Sequence, residues 1–326
     1  MAKQFKRGLV FGKFMPFHKG HEFLIQTAAN QCDEVFVLVC SVPTEPIAGE
    51  LRYAAVKRTF PKLNVLHVTD KNPSYPHEHK FFWPIWLDTF HRNAPDCDVV
   101  FTSETYGDEV AARMGIAHVC VDKARSTFPV SGTALRENLI QFWDFLPPAS
   151  RVFMCPRVAL LGAESVGKST LSEKLAAHFN TVFVPEYGRE YVDKFGHNLS
   201  PLDLVHIAAG QLYAEDEAAT RANRILFCDT ELLTTQIWSE IYCCVCPDWI
   251  IHQNHSRKYQ LFLLLDSDVD WVDDGTRLYK NIRQAQTARI VGELESRNLP
   301  YVWIKGDFER REKAAIAAVK QHFPFL

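Results

Sequence analysis

The sequence predicts an α/β protein built from two tandem parallel-sheet domains. Three observations carry this. Short apolar, strand-like runs alternate with helical patterns along the whole chain. The chain's one Pro-Pro pair, Pro147-Pro148, interrupts the alternation near its middle, and the alternation then restarts with a strand running into a glycine-rich turn. Strands alternating with helices imply right-handed crossovers and a parallel sheet covered on both faces. At 326 residues the chain is long enough for two such units, each with its own core.

In order, Leu9–Phe11, Val35–Cys40, Val65–Val68, Val99–Thr102 and Val119–Val121 read as buried strands. Helical patterns separate them near His21–Asn30, Leu51–Phe60, Phe82–His91 and Glu104–Met114, and a last helix of this unit is expected from Ser131 to about Phe142. The boundary falls near 147–156, giving domains 1–148 and 156–326. The second unit starts with the strand Val158–Leu161 and the helix Gly167–Phe179. It continues through the strand Val182–Val184, helices across Pro201–Asn223, strands Ile225–Cys228, Leu261–Leu265 and Tyr301–Ile304, and a closing helix Arg310–His322.

Composition narrows the function classes. With 36 Lys+Arg against 39 Asp+Glu, the net charge of −3 gives no global attraction to nucleic acid or anionic membrane, so any phosphate site must be local. No apolar run approaches the roughly 20 residues that span a bilayer, and Met1–Lys6 lacks the apolar core of a signal peptide. Nine cysteines, an odd number scattered through strand-like runs, suggest free thiols in a reducing cytoplasm rather than a disulfide frame.

Gly12-Lys13-Phe14-Met15-Pro16-Phe17-His18-Lys19-Gly20-His21 directly follows the first strand. His18 and His21 are three apart where a helix begins, so they share one face. A helix N-terminus offers free N–H donors and partial positive charge, so the two imidazoles either converge there on one anion or merely cap the turn and face solvent. Gly20 lets that anion approach the chain. At the far end of the unit, Ser131-Gly132-Thr133-Ala134-Leu135-Arg136 opens the last helix with capping hydroxyls and places a guanidinium one turn in, which reads either as a second phosphate-facing arrangement or as an ordinary Ser cap on an amphipathic helix.

Together these segments resemble the nucleotidyltransferase superfamily, whose signatures are His-x-Gly-His and Ser-x-Thr-x-x-Arg. The stretch Arg7–His21 is closer still to nicotinamide mononucleotide adenylyltransferases of the archaeal and NadR type. The resemblance implies a Rossmann-like domain that joins a substrate phosphate to the α-phosphorus of ATP, with pyrophosphate leaving and no covalent intermediate. His18 and His21 would hold the triphosphate, and Lys13 and Arg136 would stabilise its β and γ oxygens. Gly12, Phe14, Gly20, Ser131 and Thr133 would complete the ATP site. Trp83 or Trp86 would either stack on nicotinamide or face the core.

Gly162-Ala163-Glu164-Ser165-Val166-Gly167-Lys168-Ser169-Thr170 lies between a strand and a helix, the setting that a P-loop requires. Gly162, Ser165 and Gly167 shape a nest of N–H groups for phosphate, with Thr170 in the first turn. Lys168 reaches the β and γ oxygens, and Ser169 is placed for Mg2+ together with Asp229, which follows a later strand. Glu186, after the next strand, is either the base for a substrate hydroxyl or one half of a surface ion pair with Arg189. Tyr187 and Glu190 are further substrate-binding candidates. Trp271–Arg277 and Arg283 read as a lid whose arginines face ATP, or as a hairpin with no catalytic duty.

This half is similar to the ribosylnicotinamide kinase domain of NadR-type proteins. An adenylyltransferase followed by a P-loop kinase covers essentially the whole chain. What the resemblance implies is a cytoplasmic enzyme that uses ATP, nicotinamide riboside and nicotinamide mononucleotide to make NAD, with Mg2+ as cofactor and no nucleic acid or membrane partner. Many NadR-type proteins begin with a helix-turn-helix domain, whereas the first strand here starts within the first ten residues, so DNA binding is not expected. A homo-oligomer is compatible with the sequence. Another nucleoside or small phosphate as acceptor, or an NAD- or ATP-sensing regulator, are the alternatives. Cys243, Cys244, Cys246, His252 and His255 do not have finger spacing, His77 and His79 sit in a Pro-flanked loop, and Glu215, Asp216 and Glu217 read as a solvated helix face.

Overall fold

The computed structural model describes residues 3–271, 282–324 and 326, and the chain divides into two compact units, Met1–Arg151 and Val152–Leu326. In the first unit, β1 (Phe5–Gly12), β2 (Cys32–Cys40), β3 (Asn64–Val68), β4 (Val99–Thr102) and β5 (Ala117–Cys120) form one sheet in the order β3-β2-β1-β4-β5, all parallel. The crossovers are α1 (Lys19–Gln31), α2 (Gly49–Thr59), α3 (Phe82–Asn93) and α4 (Tyr106–Met114), followed by α5 (Gly132–Glu137) and α6 (Pro148–Met154). Val37, Leu38 and Val39 of β2 and Val99, Val100 and Phe101 of β4 are wholly buried. Such strands lie between two helical layers, which is why they read as continuous apolar runs.

The second unit repeats this logic. Its strands β6 (Arg157–Leu161), β7 (Phe183–Val184), β8 (Leu226–Asp229), β9 (Leu261–Leu265) and β10 (Tyr301–Ile304) order as β10-β9-β6-β8-β7, again all parallel. Around them lie α7 (Lys168–His178), α8 (Tyr187–Phe195), α9 (Pro201–Arg221), α10 (Leu232–Cys243), α11 (Asp248–Ser256), α12 (Arg283–Ser296) and α13 (Phe308–His322). In each sheet the unit's first strand is central and strand order reverses around it. In such sheets the crevice beyond the carboxyl ends of the strands is the ligand site. The loops leaving β1 and β6 therefore sit where chemistry is expected.

Two expectations from the sequence change. The last helix of the first unit stops at Glu137 instead of reaching Phe142, because the chain turns at Asn138 and enters a short 3₁₀ turn, Trp143–Phe145, that buries Trp143 and the following Leu146. At the Pro147-Pro148 break, Pro148 opens α6 at a position where its missing N–H costs nothing. Glu215 is not solvated. It is fully buried on the stripe of α9 that carries Ala208, Gln211, Ala218 and Ala219. It pairs with Arg157 and Arg257 at 3.4 and 3.0 Å and accepts from the Tyr259 hydroxyl at 2.7 Å.

All nine cysteines are free; Cys32, Cys40, Cys97, Cys155 and Cys228 are buried, whereas Cys120 and Cys244 are exposed. Burial pushes the Cys40 and Cys97 thiols up to about 12. Among the described residues no three His, Cys, Asp or Glu side chains group to hold a metal, and no helix is long and apolar enough to cross a membrane.

Candidate active sites

At the end of β1 the chain enters a loop in which Phe14 adopts φ 48° and is buried against Phe17 and His21. His18 is the N-cap of α1, and its ring stacks on that of His21 with centroids 3.7 Å apart. The Nδ1 atoms of both rings are buried without a hydrogen-bond partner. Desolvation, helped by the nearby Arg125 cation, lowers His18 to about 4. Desolvation, the neighbouring ring and Arg125 hold His21 well below its usual range, opposed by a hydrogen bond to the Pro16 carbonyl. Two neutral imidazoles with unpaired nitrogens thus sit at the mouth of α1.

Lys13 is exposed and pairs with Glu45 at 3.0 Å while donating to Ser74 Oγ at 3.2 Å. Behind it lies Arg52, completely buried, which donates to the Lys13 carbonyl, to the Cys40 carbonyl at 3.4 Å and to the Glu45 carboxylate. Burial alone would raise the Glu45 carboxyl, but Lys13, the Val42 N–H and Arg52 outweigh it and hold it low. Neither Arg52 nor Glu45 was expected from the sequence.

The two sequence motifs of this unit meet. Ser131 caps α5 by accepting from the Ala134 N–H at 3.1 Å. Arg136 donates to the Met15 carbonyl, 121 residues away, and to Thr133 Oγ1 at 3.0 Å. A Cβ on Gly132 would lie 2.6 Å from the Met15 carbonyl oxygen, so only glycine allows this approach. Gly20 lies against the His18 ring, where an added Cβ would be 3.1 Å away.

Trp83 and Trp86 pack on the core of the first unit while staying partly exposed. Trp86 Nε1 donates to the Pro73 carbonyl at 2.9 Å, and the Arg113 guanidinium lies 4.6 Å from the Trp83 ring centre.

The P-loop joins β6 to α7. Gly162, Ser165 and Gly167 all have positive φ, at 146°, 59° and 87°. Lys168 Nζ donates to the carbonyls of Gly162 and Ala163 at 3.1 and 3.0 Å. Ser169 and Thr170 are exposed in the first turn of α7. On the adjacent strand, Asp229 aligns with Leu160 and is buried, and its Oδ1 has no partner.

Beside the P-loop lies a cleft of about 110 Å³. Glu186, Arg189 and Lys168 border it, with Gln211, Trp238 and Tyr242 among the other walls. Burial raises the Glu186 carboxyl, opposed by Lys168 and Arg189 and reinforced by Asp229 and Glu164. Tyr187 and Glu190 line a separate outer groove. The Tyr187 ring lies over Gly210 of α9, and its N–H donates to Gln211 Oε1 at 3.0 Å. Trp238 and Tyr242, one turn apart on α10 with ring centres 5.4 Å apart, supply the aromatic wall that the sequence reading did not assign.

Arg283 donates to the Val269 carbonyl at 3.2 and 3.3 Å, with Trp271 5.8 Å from its guanidinium. Arg277 lies outside the described residues. Glu231, also unforeseen, is a buried N-cap of α10 that accepts from Leu233 and Thr234 N–H at 2.7 and 3.1 Å. Burial lifts its carboxyl to about 7 against those two donors.

A family model described as an AAA domain matches residues 157–311, and one described as the citrate lyase ligase C-terminal domain matches residues 9–87. The nicotinamide-nucleotide adenylyltransferase of Methanococcus aeolicus is 24% identical over 151 residues, covering 44% of this chain and 83% of that protein. A crystal structure of NadR protein in complex with NR has the same fold, with a TM-score of 0.74 at 22% identity, covering 99% of this chain and 97% of that one. The trifunctional NAD biosynthesis/regulator protein NadR of Salmonella typhimurium is 30% identical over 342 residues, covering 96% of this chain and 82% of its own length. With that likeness running over nearly the whole chain, and so over both units, the chain belongs to the NadR family.

Proposed function

We propose that the chain makes NAD from nicotinamide riboside in two ATP-dependent steps, residues 156–326 phosphorylating the nucleoside and residues 1–148 joining the resulting mononucleotide to AMP from a second ATP. The observation that carries this reading is that two helix N-termini, those of α1 and α7, each follow the central strand of their own parallel sheet, the place where helix N–H groups bind phosphate in such folds. The nine free thiols suit a reducing cytoplasm.

In the first unit, the mononucleotide phosphate displaces pyrophosphate at the α-phosphorus of ATP, chemistry that depends on positioning and charge stabilisation. The His18–His21 stack faces the triphosphate at the mouth of α1. Arg136, fixed on the Met15 carbonyl, and Lys13, aimed by Glu45, stabilise the departing pyrophosphate.

In the second unit, Lys168 turns from its loop carbonyls to the β and γ oxygens. Glu186, a carboxylate lifted by burial beside Lys168, accepts the proton from the nucleoside hydroxyl. The buried, unpartnered Oδ1 of Asp229 and the exposed Ser169 hydroxyl fit Mg2+. When bound, Mg2+ supplies neutralising charge to the β- and γ-phosphate oxygens.

The test is incubation of the pure protein with ATP, Mg2+ and nicotinamide riboside, with products identified by mass. Nicotinamide mononucleotide and NAD should both form. Lys168→Ala should form NAD only when the mononucleotide is supplied, and His21→Ala should stop at the mononucleotide. A folded wild-type protein yielding neither product overturns the reading.

A further inference from the structure

Arg311 of α13 is 1% exposed, and its guanidinium reaches three loops at once. It donates from Nε to the Gly306 carbonyl at 2.7 Å, from Nη2 to the Asp266 carbonyl at 2.8 Å and the Asp268 carboxylate, and from Nη1 to the Val166 carbonyl inside the P-loop. Asp268 closes the circuit by accepting from the Gly306 N–H at 2.6 Å. A buried cation is costly unless paired and hydrogen-bonded, and every partner here belongs to a loop at the carboxyl end of the sheet.

The P-loop contact has a directional consequence. A trans peptide is planar, with its C=O and N–H pointing opposite ways. Holding the Val166 carbonyl inward on Arg311 therefore turns the Gly167 N–H outward, into the concavity where P-loops bind phosphate. The Gly306 carbonyl is held the same way, and Gly306, Asp307 and Phe308 line a groove beside the P-loop together with Ser165, Gly167 and Thr170. The Phe308 ring is so close to this loop that a Cβ on Gly167 would lie 2.8 Å from it.

We propose that Arg311, paired with Asp268, is a positioning residue for ATP in the kinase step, fixing the peptide planes of the P-loop and of the β10–α13 loop so that their N–H groups face the nucleotide. The proposal rests on the kinase reading of the second unit. Arg311→Lys keeps the charge but cannot span three carbonyls, and Arg311→Met removes the charge as well. Asp268→Asn leaves the three carbonyl bonds and weakens the carboxylate's bonds to Arg311 and to the Gly306 N–H.

The experiment measures, for each variant, KM for ATP, KM for nicotinamide riboside and kcat of phosphorylation, with the circular-dichroism spectrum and thermal melt of each variant as the control for an intact fold. Arg311→Lys should raise KM for ATP at least tenfold, while KM for nicotinamide riboside and the adenylyl-transfer rate stay within twofold. Asp268→Asn should shift KM for ATP in the same direction by less. An Arg311→Lys protein with KM for ATP within twofold of wild type overturns the proposal, as does an equal rise in both KM values. If Arg311→Met does not fold, the other two variants decide. A wild-type chain that forms no mononucleotide overturns the kinase reading itself, an outcome separate from active wild type with indifferent variants.

Discussion

The imidazoles of His18 and His21 lie face to face, 3.7 Å between centroids and 24° between planes. Two imidazolium cations would repel at that separation, so the stack is an arrangement of neutral rings, as their lowered pKa values require. The mouth of α1 thus holds its positive charge on Lys13, Arg125 and Arg136.

That neutrality makes stability depend on acid. His18 has its folded pKa lowered to about 4, against about 6.5 in the unfolded chain. Between these values the unfolded state binds more protons, so stability falls as pH drops from 6.5 toward 4. Replacing His18 with Asn should remove on the order of 1–3 kcal/mol of that loss. Thermal melts at pH 7, 6 and 5 should show the variant gaining on wild type as acidity rises. A constant gap across the series would count against it.

Glu231 should give the opposite slope. Its carboxyl is raised to about 7 by burial, so the folded state binds the extra proton and the contribution is lost as pH rises from about 4.5 to 7. Glu231→Gln keeps an oxygen for the cap without a charge to bury. Its melting temperature relative to wild type should climb between pH 5 and pH 8, and a flat difference would refute the assignment.

Gly132→Ala should separate the two chemistries. The new methyl meets the Met15 carbonyl oxygen at 2.6 Å, which costs about 1–3 kcal/mol in strain or displacement. Since Arg136 reaches the same carbonyl, adenylyl transfer should drop at least tenfold while nucleoside phosphorylation persists. Assaying both reactions on one preparation checks this.

Trp238→Ala should raise KM for nicotinamide riboside about tenfold through loss of a ring contact of ~1–1.5 kcal/mol. Trp238→Phe should recover most of that, and adenylyl transfer should be indifferent to both. An unchanged KM in the Ala variant removes Trp238 from the nucleoside wall.

Much of the fold could be read from the chain because buried parallel strands announce themselves as apolar runs, and both phosphate loops carry dense local signals. The missed residues share one physical reason. Arg52, Glu215 and Arg311 are charged, and a charge suggests solvent. Yet each falls on the buried stripe of its helix: Arg52 with Ala55 and Val56 on α2, Glu215 with Gln211 and Ala218 on α9, and Arg311 with Ala315 and Ala318 on α13. A charge in register with an apolar face signals a buried partner elsewhere in the chain, and it was legible. The helix α10 was harder. Leu232 to Ile237 are all buried, so no polar face marks a helical period. Its Trp238 and Tyr242 consequently went unassigned.

The sulfur chemistry of the chain offers a practical handle. Cys120 and Cys244 are the exposed thiols, one in each unit, and the five buried ones are shielded by packing. Brief maleimide treatment should therefore tag these two positions first, giving a donor–acceptor dye pair for single-molecule fluorescence without altering one residue.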